Sequence, residues 1–308
     1  MSEIPLRSTG GGGLAGPPPA RRRLDPTAYF WLLVPALAVT AGFTLFPLVR
    51  TLYLSFTNLG ISGQADWIGA DNYLRMISDG LFWQSVGVSA VFLVVGVLAE
   101  LVIAWVLALL LAERVSRWSN ALRTLFTIPM LLCPVVIGIT WRVLFNPQFG
   151  WINGILNQPG LDWVGDPSKS LWVLIAVDVW QWTPFLFLMI SSALVAIPTE
   201  VKEAARLDGA GGLRIFRFIT WPLVLPVTLV AVLLRSIDST KTFELPFTLT
   251  AGGPGNTTTT VAIYMYRRAF SEFDQGYASA LAVTITIALV VFAMIYLRIV
   301  KRVEGAVG

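Results

Sequence analysis

The chain has 308 residues, of which 56% are hydrophobic and 13% are charged. Soluble globular domains carry about 25% charged residues, so this composition excludes an ordinary soluble protein and indicates a membrane protein. The net charge is only +4, with one cysteine and no histidine, which excludes a disulfide framework, a thiolate metal site and histidine catalysis. We expect no metal site and no nucleic-acid partner.

Residues 1–27 differ in composition from the rest of the chain. They are rich in glycine and proline, as in "STGGGGLAGPPPARRR", and show no hydrophobic periodicity. Such a segment buries too little apolar surface to order itself, so we expect a disordered cytoplasmic tail. The apolar run that follows is too long for the core of a signal peptide, and no small-x-small cleavage site comes after it. It predicts a first membrane helix that is retained.

Six apolar segments are long enough to cross a bilayer, because a core of about 30 Å requires roughly 20 helical residues. They cover residues 28–49, 86–112, 121–145, 170–197, 219–243 and 278–299. Arginine and lysine concentrate in the N-terminal tail, in the second-to-third and fourth-to-fifth connections, and at the C-terminal end. By the positive-inside rule these four regions are cytoplasmic. We therefore predict an all-α membrane protein with six lipid-embedded transmembrane helices, both termini in the cytoplasm, and a short tail over 301–308.

The connection between the fourth and fifth spans carries a patterned run of charges and glycines, "EAARLDGAGGLRIFRFITWP". Pro198 ends the fourth span, and Thr199 predicts the N-cap of a short cytoplasmic helix. Glu200 and Glu203 then fall in the first turns of that helix, where the helix dipole favours anions. The segment is therefore expected to form a short, exposed helix outside the lipid.

Small residues shape the rest of this segment. Ala204 and Ala205 leave one face of the short helix thin enough for a partner to approach closely, and Gly209, Gly211 and Gly212 allow the chain to turn sharply after the helix. Two interpretations follow from these features alone. The segment is either a connector that lies on the lipid headgroups or a docking site for another protein.

The same segment resembles the "EAA" loop of binding-protein-dependent ABC importer permeases. Its "DGA" resembles the carbohydrate-uptake branch, the maltose and glycerol-3-phosphate permease type, although Trp221 stands where the family usually has leucine. The residues that carry the likeness are Glu203, Ala204, Ala205, Asp208, Gly209, Ile219 and Pro222. Further segments match the family in order: "PLVRTLYLSFTN", "WIGADNY", "IPMLLCPVVIGITWRVLFNPQFGWIN", "TAGGPGNTT" and "YASALAV".

This resemblance implies the type I ABC importer permease fold over residues 28–300, with a coupling loop over 198–222. In that family the short helix docks into a cleft on a cytoplasmic ATPase subunit. The resemblance thus assigns coupling to Glu203, Ala204, Ala205, Asp208 and Gly209. It also implies a second homologous permease subunit, two ATPase subunits and an extracytoplasmic sugar-binding protein as partners at the bacterial inner membrane.

The sequence contains no phosphate-binding Gly-x-x-x-x-Gly-Lys-[Ser/Thr] motif. ATP hydrolysis is therefore expected on partner subunits, which would bind both ATP and Mg²⁺. The chain itself is expected to be a transport subunit that is not an enzyme and has no cofactor.

Two acidic residues lie inside predicted spans at similar depth, Asp178 in the fourth span and Asp238 in the fifth. Ionisable groups at that depth are costly and usually face a cavity or a partner, so we expect both to line one cavity. Aromatic rings beside hydroxyl, amide and carboxylate groups suit a polyhydroxylated ligand such as a sugar. The predicted substrate-binding residues are Asp178, Trp180, Gln181, Trp182, Phe185, Asp238, Ser239 and Thr242.

Alternatives remain open for the charged groups of the spans. In one, Asp238 pairs with Arg235 three residues before it, and the aromatic rings are interfacial anchors. Arg235 and Lys241 keep a phosphorylated ligand possible. Glu100, in the middle of the second span, is either functional or joined to a neighbouring helix by a hydrogen bond or an ion pair.

A polytopic membrane enzyme is the alternative from another functional class. Without histidine and with one thiol, its catalytic groups would have to be carboxylates, with Asp178 and Asp238 imitating an aspartyl pair. An ion channel would more often show a symmetric pore-lining motif, which we do not find in the sequence. The quoted motifs favour the permease over both.

Overall fold

Helices form almost all of the regular structure in the computed structural model, which describes residues 26–61, 63–111 and 117–307. Within those residues the only extended pairing is an isolated antiparallel bridge between Thr57 and Trp67. The predicted all-α class is therefore confirmed. The helices are α1 (Pro26–Leu54), α2 (Asp71–Ser78), α3 (Gly80–Leu111), α4 (Arg117–Leu131), α5 (Pro134–Leu144), α6 (Trp151–Ile155), α7 (Ser170–Val195), α8 (Thr199–Leu207), α9 (Gly212–Ile215), α10 (Trp221–Lys241), α11 (Glu244–Thr250), α12 (Val261–Tyr266) and α13 (Gln275–Val307), with π-helical turns at Phe216–Thr220 and Arg267–Ser271.

Five helical stretches among the described residues are long and apolar enough to cross a membrane, and a sixth span is obtained if α4 and α5 count as one. The five are Leu33–Leu54, Gly80–Leu111, Ser170–Val195, Gly212–Lys241 and Gln275–Arg302. Each overlaps one of the predicted spans. The fifth predicted span begins too late, at residue 219, because a π-helical turn joins α9 to α10 without a break.

The prediction of one unbroken third span over residues 121–145 is wrong. Helix α4 ends at Leu131, helix α5 begins at Pro134, and the two helices are bent by 101°. The cause is local, because Cys133 precedes a proline and adopts an extended backbone with φ −62° and ψ 129°. Pro134 then occupies the first turn of α5, where its missing N–H group is not needed. The segment is a broken span or a re-entrant pair of helices.

Three predicted boundaries differ from the structure. Residues 1–25 of the predicted tail lie outside the described residues, and α1 already begins at Pro26. Helix α13 continues to Val307, so residue 300 does not end the last helix. Thr199 is the first residue of α8 and not its N-cap. Pro198 holds the N-cap position with an extended backbone and no side-chain cap, because the helix begins directly after the proline.

The chain divides into one unit up to Arg50 and a second unit from Thr51 onward. In the second unit α3 and α7 pack along each other, and small side chains such as Ala108 let them approach closely. One apolar cluster gathers around Phe187 in the second half of α7, and another gathers around Leu174 in its first half. A layer of buried polar side chains lies between these two clusters.

A polar cluster ties the start of α3 to α12 and α13. The Asp79 carboxylate accepts hydrogen bonds from the hydroxyl groups of Tyr264 and Tyr277, the latter at 2.6 Å. The guanidinium of Arg268 lies 3.7 Å from the same carboxylate. Partial burial raises the pKa of Asp79, but these hydroxyl groups and Arg268 outweigh it, so the net pKa lies below the ordinary value. Asp79 therefore holds this end of the helices together as a carboxylate.

Candidate functional site

Arg235 of α10 is the centre of a buried ion cluster within the polar layer. Its Nε lies 2.9 Å from one carboxylate oxygen of Glu100 on α3, and its Nη2 lies 2.8 Å from the other. Nη2 also donates a hydrogen bond to Asp178 on α7. The Arg235 side chain is only 1% exposed, and both carboxylates are fully buried. One guanidinium thus joins three membrane-spanning helices.

The cluster reaches the surface through two side chains. Asp238 lies one turn after Arg235, and its carboxylate is 3.6 Å from Arg235 Nη1 and 47% exposed. The Trp182 ring centre lies 5.2 Å from the guanidinium carbon of Arg235, which is a cation–π contact. The predicted alternative that Asp238 pairs with Arg235 is therefore observed. The alternative that Glu100 forms an ion pair with a neighbouring helix is confirmed.

Several polar atoms around the cluster have no hydrogen-bond partner within the described residues. They are Oδ1 of Asp178, both amide atoms of Gln181 and Oγ of Ser239. Buried polar groups in proteins are rarely left unsatisfied. Water or the hydroxyl groups of a ligand would complete these contacts.

The predicted substrate-binding residues separate into two groups. Asp178, Gln181 and Ser239 are buried, so they do not form an open wall in this structure. Phe185 is half-buried and packs against the apolar cluster around Phe187. Trp182, Asp238 and Thr242 are also half-buried, and Trp180 is the one exposed member of the set.

Asp178 and Asp238 both contact the Arg235 guanidinium, but they do not form the expected shared wall of a cavity here, because Asp178 is fully buried. The sequence suggested Arg235 as a local partner of Asp238 or as a contact for a phosphorylated ligand, but it did not predict that Arg235 binds Glu100 and Asp178. A basic residue in the middle of an apolar span, together with two acids in the middle of others, was the available signal.

Helix α8 and the turn after it form the second candidate site. The backbone N–H of Asp208 donates to the carbonyl of Ala204, and Gly209 follows with φ +78°. The backbone N–H of Ala210 then donates to the carbonyl of Ala205 at 2.9 Å. A left-handed glycine directly after a helix satisfies the terminal carbonyl groups and reverses the chain. The glycine therefore sets the direction in which the chain leaves α8.

None of the nine residues of α8 is buried. Large apolar side chains on and after it are exposed, with Leu207 at 89% and Leu213 at 82%. Contiguous apolar exposure of this kind marks contact surfaces. Of the predicted coupling residues, Glu203, Ala204, Asp208 and Gly209 are exposed and Ala205 is half-buried.

Comparison with known protein families identifies the family of a chain that has this ion cluster and this exposed helix. The family described as "Binding-protein-dependent transport system inner membrane component" matches residues 100–306, which include the ion cluster and α8. The chain belongs to this family. The permease is therefore a multi-pass inner-membrane protein, and the resemblance inferred from the sequence motifs is confirmed.

Curated relatives of the permease are similar to it over most of their length. It is 32% identical over 274 residues to the trehalose/maltose transport system permease protein MalF of Thermococcus litoralis, covering 88% of this chain and 92% of the relative. It is 34% identical over 276 residues to the sulfoquinovosyl glycerol transport system permease protein SmoG of Agrobacterium fabrum, covering 88% and 89%. It is 32% identical over 314 residues to the diacetylchitobiose uptake system permease protein DasB of Streptomyces coelicolor, covering 97% and 94%.

Solved structures share the fold of the permease. A chain of a bacterial ABC transporter involved in the import of the acidic polysaccharide alginate superimposes with a TM-score of 0.80 at 19% sequence identity. The match covers 90% of this chain and 96% of that one. At this identity the similarity establishes the ABC importer permease fold alone.

Proposed function

We propose that the chain is one permease subunit of an ATP-driven, binding-protein-dependent sugar importer in the bacterial cytoplasmic membrane. The family supports the transport role, and the relatives named for trehalose/maltose, sulfoquinovosyl glycerol and diacetylchitobiose support a sugar as cargo. A second homologous permease completes the pathway, and an extracytoplasmic sugar-binding protein delivers the cargo. Two cytoplasmic ATPase subunits bind ATP and Mg²⁺, so this subunit needs no cofactor.

The exposed helix α8 is the single observation that carries the coupling role. It stands between two membrane spans, has no buried residue, and is followed by a glycine at φ +78° that fixes the exit of the chain. Leu207 and Leu213 are exposed beside this turn and give the segment apolar surface on which a partner subunit could dock. The ATPase subunit is the occupant that we propose for this surface, with both chain termini on the same cytoplasmic side.

The ion cluster argues against Arg235 as a contact for a phosphorylated cargo at this wall of the pathway. The guanidinium of Arg235, which would otherwise favour a phosphorylated ligand, is buried and held by Glu100 and Asp178. The accessible groups beside it are the Asp238 carboxylate and the Trp182 ring. A carboxylate accepts hydrogen bonds from sugar hydroxyl groups, and an indole face packs against the apolar face of a sugar ring.

The arrangement does not favour the membrane-enzyme alternative. An aspartyl pair requires two carboxyl groups that face each other and share a proton. Here Asp178 and Asp238 contact different nitrogen atoms of one guanidinium, and Asp178 is fully buried. The carboxylates thus have the partners of a structural ion cluster.

We expect the purified subunit to transport nothing by itself, because it supplies only half of the pathway and has no ATP-binding motif. The test reconstitutes it in proteoliposomes alone, then with the second permease and the ATPase subunits. A thermal-shift screen of the cognate binding protein against sugars first selects the cargo. Uptake should require all components, and a transport-competent complex that contains this permease alone would contradict the proposal.

We expect Asp238→Ala and Trp182→Ala to lower uptake by about tenfold or more at subsaturating cargo. For Asp238, a hydrogen bond to a charged group contributes about 1.5–3 kcal/mol, which corresponds to this factor. For Trp182, burial of the apolar face of a sugar against the indole ring contributes about 1.5–3 kcal/mol. The complex should still assemble, because both side chains are partly exposed. Leu234→Ala, at an exposed apolar position of the same helix, is the control and should transport normally. Parental uptake by both variants over a range of cargo concentrations would show that Asp238 and Trp182 do not contact the cargo.

A further inference from the structure

A cavity of about 220 Å³ lies beneath α8 and has no role in the proposed transport cycle. The last turns of α3 and α7 form one side of it, and the start of the α9–α10 stretch forms another. Among the described residues, its lining contains two basic side chains and no acidic one. The lining residues are Ala108, Leu109, Leu194, Lys202, Arg206, Ala210, Gly212, Ile215, Phe216 and Thr220.

The position of the cavity places it at the membrane surface. Helices α3 and α7 end next to it, at Leu111 and Val195, and the following span begins next to it at Gly212. Its apolar lining comes from the spans, and its basic lining comes from the exposed helix α8. The cavity therefore has an apolar wall toward the lipid and a cationic rim toward the aqueous side.

Helix α8 presents two different faces. Lys202 and Arg206 are four residues apart, so they share the face that lines the cavity. Ala204 lies on the opposite face and is exposed, and the exposed Leu207 lies about 100° around the helix from Arg206. The face proposed to contact the ATPase subunit is thus separate from the face that borders the cavity.

We propose that this cavity binds the headgroup of an acidic phospholipid. The exposed Arg206 guanidinium at the rim complements the phosphate, and Leu109, Leu194 and Phe216 provide an apolar wall for the start of an acyl chain. Basic pockets between membrane helices at this level are typical lipid headgroup sites. The assignment of the cavity to the cytoplasmic leaflet rests on the proposed function. A bound lipid would contact the face of α8 that lines the cavity and so stabilise the position of α8 against the ATPase subunit.

The test counts lipids retained by the intact complex in native mass spectrometry, after titration with phosphatidylglycerol or with phosphatidylcholine. Arg206→Gln should weaken phosphatidylglycerol retention about fivefold, because one basic residue near anionic lipid contributes about that factor. Ala210→Phe should fill the cavity and lower retention of the same lipid without changing any charge. Arg217→Gln is the matched control, since Arg217 is an exposed basic residue nearby that does not line the cavity.

Retention that falls in both cavity variants and stays unchanged in Arg217→Gln supports the site. Equal retention in all three variants, or equal loss in all three, overturns it. Loss of the lipid whenever the ATPase subunits bind would show that the ATPase occupies the cavity and would also overturn the proposal. The lipid count requires neither ATP hydrolysis nor uptake, so it can succeed or fail independently of the proposed transport function.

Discussion

Arg235→Met is expected to lower the free energy of unfolding of the permease by about 3–5 kcal/mol, because it leaves buried charges without their partner. Glu100 and Asp178 are fully buried and both contact the Arg235 guanidinium. Without that group, two carboxylates at membrane depth would have to be neutralised or hydrated. The helices that they join, α3, α7 and α10, would then lose their common contact.

Thermal unfolding of the purified complex in one detergent measures this effect. Asp238→Asn is the matched control, because Asp238 contacts the same guanidinium at 3.6 Å but is 47% exposed, so its loss should change stability little. The triple variant Arg235→Met, Glu100→Leu and Asp178→Leu should recover much of the lost stability, since apolar replacement of a whole buried ion cluster is often neutral. If Arg235→Met is as stable as Asp238→Asn, the ion cluster does not hold the helices together.

The spans were predictable because their signal is local. A run of about 20 apolar residues identifies a membrane helix whatever its neighbours are, and five spans agree with the structure. The broken third span was also a local event, and the proline after Cys133 was its signal. Hydrophobicity alone missed it, because the residues on both sides of the break are equally apolar.

The ion cluster was less predictable because it depends on contacts between distant residues. Glu100 and Arg235 are 135 positions apart, and nothing in a single sequence fixes which faces of α3 and α10 meet. The buried face of α7 was equally hidden, since an apolar helix shows no polar–apolar periodicity. Asp178 and Trp180 were therefore predicted to share a wall, whereas Asp178 is buried and Trp180 is exposed.

Helix α8 was predictable for a third reason, namely that its chemistry differs from that of its surroundings. Charges and glycines between two apolar spans cannot lie in lipid, and the pattern matched a known loop. The predicted glycine turn is observed at Gly209, with φ +78°. The N-cap was misplaced by one residue, because Pro198 ends one helix and directly precedes the next.

Gly209→Val is expected to uncouple ATP hydrolysis from transport. The substituted residue would need a positive φ, which costs a β-branched side chain about 1–3 kcal/mol, so the turn after α8 would relax and displace the helix. We therefore expect stimulation of ATPase activity by the loaded binding protein to fall by about tenfold, together with uptake and with retention of the ATPase subunits. Glu203→Lys should have the same effect, because it reverses a charge early in α8 and on the contact surface.

Gly211→Val is the control that isolates the backbone effect. Gly211 lies two residues further along, has an extended backbone with φ −71° and ψ 164°, and has open space around an added Cβ atom. Valine fits that conformation, so Gly211→Val should keep parental ATPase stimulation. If any added side chain disturbed the docking surface, Gly209→Val and Gly211→Val would both lose ATPase stimulation. The measurement is ATPase stimulation in the reconstituted complex. If Gly209→Val and Glu203→Lys both keep parental ATPase stimulation, α8 is a connector on the lipid headgroups. A connector tolerates a displaced turn and a reversed charge, whereas a contact that transmits force does not.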